Sequence, residues 1–89
     1  MALSRYEILE KLKQVIEEVL IKAPEVVTEE SRFKEDLDAD SLDLVEAIMG
    51  VEEAFDISIT EEDLEDVKTV GQLIDLIQRK LAEKGDDAA

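Results

Sequence analysis

The chain has 89 residues, 45% of them hydrophobic, which suits one small domain with one modest core and argues against a second. Lys and Arg total 10 against 25 Asp and Glu, and the formal charge of -15 argues against nucleic acid and anionic membrane while favouring partners with basic surfaces. Without Cys or His, the chain lacks disulfides, thiolate nucleophiles, the usual zinc ligands and the commonest general base, so it is not expected to be an enzyme.

The N-terminal stretch MALSRYEILEKLK sets Glu7 and Glu10 in an amphipathic pattern unlike a signal or transit peptide, and no apolar run approaches a membrane span. A soluble, cytoplasmic protein is expected. A capping residue followed three positions later by Glu, Asp or Gln occurs at Ser4/Glu7, Asp40/Asp43, Thr60/Asp63 and Thr69/Gln72, each opening a helical pattern. After Ser4, the residues Ile8, Leu9, Leu12, Val15, Ile16, Val19 and Leu20 keep the rhythm of one buried face, ending before Pro24. Lys22 to Ala39 forms a long connection that Val26, Val27, Phe33 and Leu37 can pin to the bundle. A second helix runs from Asp40 to Phe55, and a turn or two fits between Thr60 and Lys68. Val70, Leu73, Ile74, Ile77 and Leu81 make the last helix, with Lys80 and Lys84 suited to its negative end and Gly85 to its stop. With no alternating strand pattern or internal repeat, the expected fold is all-α: a small four-helix bundle of three main helices plus one short helix, with a long loop between helices one and two.

The densest stretch is DLDADSLDLVE, Asp36 to Glu46. Read as a calcium loop, it supplies acids at positions one, three and five as Asp36, Asp38 and Asp40. The match then fails, because Ser41 stands where the turn needs Gly and Ala47 where a bidentate Glu must ligate. No metal site of this type is expected, although loose divalent binding by clustered carboxylates stays open. If Asp40 is the N-cap, Ser41 is the first helical residue, beside unpaired N–H groups and the positive end of the helix dipole. A phosphate ester on Ser41 would be stabilised there. Ser is also a common, harmless residue in a first helical turn, and position alone favours that plainer explanation. Ser41 as an activated nucleophile is disfavoured, because no His can take its proton and neighbouring carboxylates oppose an alkoxide.

Turning about 100° per residue, Leu44, Ile48, Val51 and Phe55 share one stripe with Ala47 at its edge, the expected core face. Leu42, Val45 and Met49 fall on another side among Glu46, Glu52, Glu53 and Asp56. Single exposed apolar residues are ordinary, and Met49 could pack under the loop. The alternative is a docking surface of apolar anchors ringed by negative charge.

These features together resemble the acyl carrier proteins of the discrete, type II fatty-acid-synthesis kind. The resemblance rests on DLDADSLDLVE with its DSL core, IMGVEEAFDISI, TEEDLEDVKTVGQLIDLI and the upstream VTEESRFKEDL, and covers roughly Leu3 to Leu81. It implies an acyl carrier domain over residues 1–84, a flexible tail over 85–89, and a carrier with no catalytic residues. Ser41 would bear 4'-phosphopantetheine, transferred from coenzyme A by a phosphopantetheinyl transferase, with acyl groups carried as thioesters on the arm's thiol. The resemblance also assigns partner docking, by fatty acid synthesis enzymes with basic patches, to Asp40, Leu42, Asp43, Val45, Glu46, Met49, Glu52, Glu53, Glu61 and Glu65. Phe33, Ile48, Val51, Ile59, Leu64, Val67 and Leu73 become candidates to line an acyl pocket, beside their plainer role as core. A monomer is expected.

Three positions depart from the family pattern. Asp38 replaces the usual Gly before ADSL, and Asp is among the few other residues that tolerate a left-handed turn. Ala47 replaces a larger aliphatic residue and Gly50 lies mid-helix, at a cost of about 1 kcal/mol relative to Ala. Both are expected to loosen or widen the space between helices. Two alternatives stay open: a carrier of polyketide, amino-acyl or D-alanyl cargo, and an unmodified acidic interaction module. The acidic ADSLD stretch favours the fatty-acid type over other cargo.

Overall fold

The structure is a computed structural model that describes residues 4–20 and 27–84. All four capping signals open helices: α1 (Arg5–Val19), α2 (Ser41–Phe55), α3 (Glu61–Leu64) and α4 (Val70–Glu83). Each start is a complete capping box, in which the N-cap side chain accepts the N3 amide and the N3 side chain accepts the N-cap amide. Among the described residues there is no strand, only an isolated antiparallel bridge between Arg32 and Thr69. No described helix is long and apolar enough to cross a membrane. The α1 helix ends at Val19, earlier than the apolar rhythm suggests. The expected roles of Val26, of Gly85 as a stop and of residues 85–89 as a tail lie outside the described residues.

The packing centres on α1, which meets both α2 and α4. Ile8, Leu12 and Ile16 from α1, Val51 from α2 and Leu73, Ile74 and Ile77 from α4 are almost wholly buried. Val27, Phe33 and Leu37 of the long loop join this core, as their apolar character predicts. A correction concerns Gly50. A β-carbon built there would lie 2.9 Å from Val15 Cγ1, so the glycine lets α1 and α2 approach closely and does not loosen them. Ala47, itself buried, likewise occupies a closed part of the core.

The long loop is fastened to the start of α4. Phe33 N–H donates to the Lys68 carbonyl at 3.1 Å, Val70 N–H to Ser31 at 2.9 Å and Gly71 N–H to Glu29 at 2.7 Å. Gly71 is required here, because a β-carbon would come within 2.9 Å of the Glu29 carbonyl oxygen. Arg5 clamps the same junction, its guanidinium donating to Glu29, Asp75 and Gln78. These carboxylates raise its pKa further above the ordinary guanidinium range, the Glu29 hydrogen bond contributing most. At the other end of the bundle, Lys84 caps α4 with its backbone N–H, which donates to the Lys80 carbonyl at 3.0 Å, and reaches α2 with its side chain. Its ammonium donates to the Phe55 carbonyl at 3.4 Å and to the Asp56 carboxylate at 3.0 Å, closing the C-terminus of α2. The one-turn α3 has no buried residue and is tied to α4 by Asp63, which pairs with Lys80 at 2.9 Å and Arg79 at 3.3 Å.

Candidate functional site: an exposed serine at an open helix start

The loop delivers the chain to α2 through a closed turn. Asp36 accepts the Arg32 N–H at 2.8 Å, Ala39 N–H donates to the Phe33 carbonyl at 2.8 Å, and Asp38 takes a left-handed φ of 53°. Asp38 therefore adopts the conformation expected where the family pattern has Gly. The turn leaves Asp40 extended as N-cap, its carboxylate accepting Asp43 N–H at 2.8 Å and its carbonyl accepting Leu44 N–H at 2.9 Å. No acceptor among the described residues serves the N–H groups of Ser41 and Leu42. At α4, by contrast, Ser31 and Glu29 of the loop take the corresponding first two amides.

Ser41 is thus the first residue of α2, exposed, with a hydroxyl that hydrogen-bonds to no described residue. Of the four serines, Ser4 caps α1 and Ser31 accepts the Thr28 N–H, while Ser58 lies in the loop two residues before the Thr60 cap of one-turn α3, outside the helix itself. Two free amides and the helix dipole suit an attached phosphodiester, and nothing covers the hydroxyl. Ser41 therefore fits a phosphoryl-linked group better than the other serines do.

Beside it lies the face that the sequence marks as anomalous. Leu42, Val45 and Met49 are 65%, 51% and 59% exposed, against full burial of Val51 on the opposite stripe. Asp40, Glu46 and Glu53 are exposed around them, and Glu61 and Glu65 are exposed at α3. Asp43 is half-buried in its capping box. Glu52 differs: half-buried, it accepts the Ile59 N–H at 2.9 Å. This contact was not visible in the sequence.

Of the pocket candidates, Phe33 and Val67 line a cleft of about 610 Å³ between the long loop, α2 and the segment after α3. Leu44, which the helical periodicity marks as core, joins them; its position one turn after Ser41 is the sequence signal that points to the cleft. Arg32, Lys34 and Lys68 stand at the rim together with Glu65. Ile48, Val51 and Leu73 are closed into the core, and Ile59 and Leu64 pack half-buried against it. Regarding metal, Asp36 is held by Arg32, and Asp40 by the capping box, which commits two of the three acids of the calcium pattern. Among the described residues no group of three or more acids is arranged to hold an ion.

Residues 10–77 match the family described as the phosphopantetheine attachment site. The chain is also 46% identical to the acyl carrier protein of Thermosynechococcus vestitus over 80 residues, 90% of this chain and 99% of that one. It belongs to the acyl carrier protein family. The acyl carrier protein of Amoebophilus asiaticus is 46% identical over 88% of this chain and 98% of its own. Among solved structures, the crystal structure of acyl carrier protein from Thermotoga maritima superposes with a TM-score of 0.80 at 34% identity, covering 90% of this chain and 93% of that one. The solution structure of holo acyl carrier protein from Geobacter metallireducens gives 0.75 at 32% identity, over 86% and 88%. The chain is therefore a carrier and not an enzyme, and its prosthetic group is 4'-phosphopantetheine.

Proposed function

We propose that Ser41 bears the phosphopantetheine arm and that the carrier presents acyl intermediates to enzymes of fatty acid biosynthesis. The arm supplies a thiol at the end of a long tether, on which acyl groups ride as thioesters. Ser41 Oγ is the ester oxygen, and the N–H groups of Ser41 and Leu42 oppose the negative charge of the phosphodiester. Leu42, Val45 and Met49 are the apolar anchors of the docking face. Asp40, Asp43, Glu46 and Glu53, with Glu61 and Glu65 of α3, steer basic patches of the transferase and the synthesis enzymes. Phe33, Leu44 and Val67 form the apolar floor nearest to the arm's base. The carrier acts as a monomer in the cytoplasm.

One observation carries this reading: an exposed serine hydroxyl, free of hydrogen bonds, begins α2 directly beside three exposed apolar side chains. Incubation with coenzyme A and a broad-specificity phosphopantetheinyl transferase, followed by intact-mass measurement, is expected to add one arm to the native chain and none to Ser41→Ala. An arm on the Ser41→Ala variant, or no modification of either protein, refutes the assignment.

A further inference from the structure

The cleft beside α2 differs in charge from the rest of this acidic chain. Against a formal charge of -15, nearly every described Lys and Arg is engaged within the fold: Arg5, Lys13, Arg32, Arg79, Lys80 and Lys84 pair with carboxylates, and Lys11 stands over the Phe55 ring, 5.8 Å from its centre. Among the described residues only Lys34 and Lys68 have neither kind of partner, and both line this cleft. They are far apart in sequence, and the pairing of the long loop with the segment before α4 brings them together. Arg32 bridges to Thr69 in the antiparallel sense and Phe33 N–H donates to the Lys68 carbonyl at 3.1 Å, which sets Lys34 beside the Val67–Lys68 segment. Gln72 Oε1 accepts the Lys68 N–H at 2.7 Å and fixes this backbone further. Two like charges held at one rim repel each other, so an anion between them relieves a cost built into the free protein.

The floor of the cleft is apolar, formed by Phe33, Leu44 and Val67, and its rim carries the two lysines. Of the rim acids, Glu35 is paired with Arg32, which leaves Glu65 as the one acid opposing them. The groove between α3 and α4 has the opposite balance, with Glu62, Asp63, Asp66 and Asp75 against Arg79 as its single cation. A ligand that matches the α2 cleft has an apolar stem and an oxyanion at its end. The phosphodiester of the arm has its own donors in the N–H groups of Ser41 and Leu42, so the lysines are left for another anion. We propose that the cleft receives acyl groups with a free carboxylate at the far end, dicarboxylic half-thioesters, whose methylene stem lies on Phe33, Leu44 and Val67 while Lys34 and Lys68 hold the carboxylate. A carboxylate brought onto an apolar floor loses water, and the two ammonium groups supply the compensating partner that discriminates this cargo from others. The site deepens the carrier reading above and rests on it, since the stem reaches the cleft from an arm on Ser41, one turn before Leu44.

The test loads the native chain from adipoyl-coenzyme A or hexanoyl-coenzyme A with a broad-specificity phosphopantetheinyl transferase. The two cargoes have equal chain length and differ by a carboxylate in place of the terminal methyl. Adipoyl labelled with carbon-13 at its free carboxyl is titrated by NMR, with adipoyl-pantetheine as the reference. A carboxyl held by two cations ionises more readily, so its pKa is expected to fall roughly one unit below the reference. In Lys34→Gln/Lys68→Gln it is expected to return to the reference value or above, because the acidic field of the chain then acts on it unopposed. Lys11→Gln/Lys13→Gln makes the same change in net charge outside the cleft and is expected to leave the shift in place. Replacing Lys34 and Lys68 is also expected to lower the Tm of the adipoyl form by roughly 2–5 °C more than that of the hexanoyl form, as for loss of two exposed ion pairs. A cargo carboxyl at or above the reference value in the native chain overturns the site, and so does loss of the shift in Lys11→Gln/Lys13→Gln. The same holds if the Lys34 and Lys68 replacements move the phosphorus-31 resonance of the unacylated arm and leave the carboxyl where it was, which assigns the cations to the phosphodiester. Intact mass keeps the two readings apart: a native chain that takes no arm defeats the carrier assignment and the cargo site with it, whereas a loaded chain with an unshifted carboxyl defeats the cargo site alone.

Discussion

Substituting Gly50 by Ala tests whether α1 and α2 are in tight contact or have slack between them. Helix propensity alone favours Ala by about 1 kcal/mol. Against this, the added β-carbon would sit 2.9 Å from Val15 Cγ1, well inside ordinary carbon contact. Val15 is 6% exposed and β-branched within a helix, so its χ1 is essentially fixed and it cannot swing aside. Overpacking of this kind costs about 1–3 kcal/mol, which outweighs the propensity gain and leaves a net loss of about 1 kcal/mol. For a domain of this size that lowers Tm by about 4–8 °C. Val15→Ala alone is expected to cost about 2 kcal/mol through lost burial and the hole it leaves. In the double variant the new methyl enters that hole, so the pair should cost about 1–2 kcal/mol less than the sum of the singles. Thermal and urea unfolding followed by far-ultraviolet circular dichroism measures all four proteins. A Gly50→Ala protein that melts several degrees higher, with additive behaviour in the double variant, would refute the contact and restore the looser reading of this position.

Two further outcomes concern charge. Asp63 is held at a pKa of about 2, first by the Thr60 amide and then by Lys80, and Arg32 and Ser4 likewise lower Asp36 and Glu7. These groups stabilise the fold above the unfolded carboxylate range, and the stability is lost as pH falls from about 4 towards 2. Tm is therefore expected to drop steeply below about pH 4, with a shallower acid limb in Asp63→Asn; a Tm unchanged or rising between about pH 4 and pH 3 contradicts this. At neutral pH, raising salt from about 0.1 M to 1 M shortens the Debye length from about 10 Å to 3 Å, so Tm should climb with ionic strength. A flat or falling response would mean that self-repulsion is not a controlling term.

The helices were legible because their signals are local: four capping residues and their partners three positions on mark all four starts. The same locality made Ser41 legible as the first residue of α2, and Asp38 as a left-handed position. What escaped was side-chain geometry between distant segments. Arg5 bridges the loop and α4 through Glu29 and Asp75, and no periodicity connects those three residues. Lys84 looks like a complement to the dipole of α4 until the bundle brings it against Phe55 and Asp56. Gly50 looks like a defect until Val15 is seen against it. Glu52 reads as one more acid of the docking set, since its bond to Ile59 depends on how the chain turns after α2.

The distribution of charge explains why the acidic face around Leu42, Val45 and Met49 stays unpaired. From Glu35 to Val67 the chain contains no Lys or Arg and fourteen Asp or Glu, so this segment cannot neutralise itself. The cations come from elsewhere and go to fixed points: Arg32 to Glu35 and Asp36, Arg79 and Lys80 to Asp63, Lys84 to Asp56. Each of these pairs secures a turn or the short helix, and among the described residues none reaches Glu46 or Glu53 on α2 or Glu61 and Glu65 at α3. The acids around Leu42, Val45 and Met49 therefore keep their charge unpaired within the fold, and the free energy of their mutual repulsion is relieved when an external cation arrives. Repulsion of this kind destabilises the isolated chain and at the same time draws in a basic surface, so the salt that raises Tm should also slow association with such a partner.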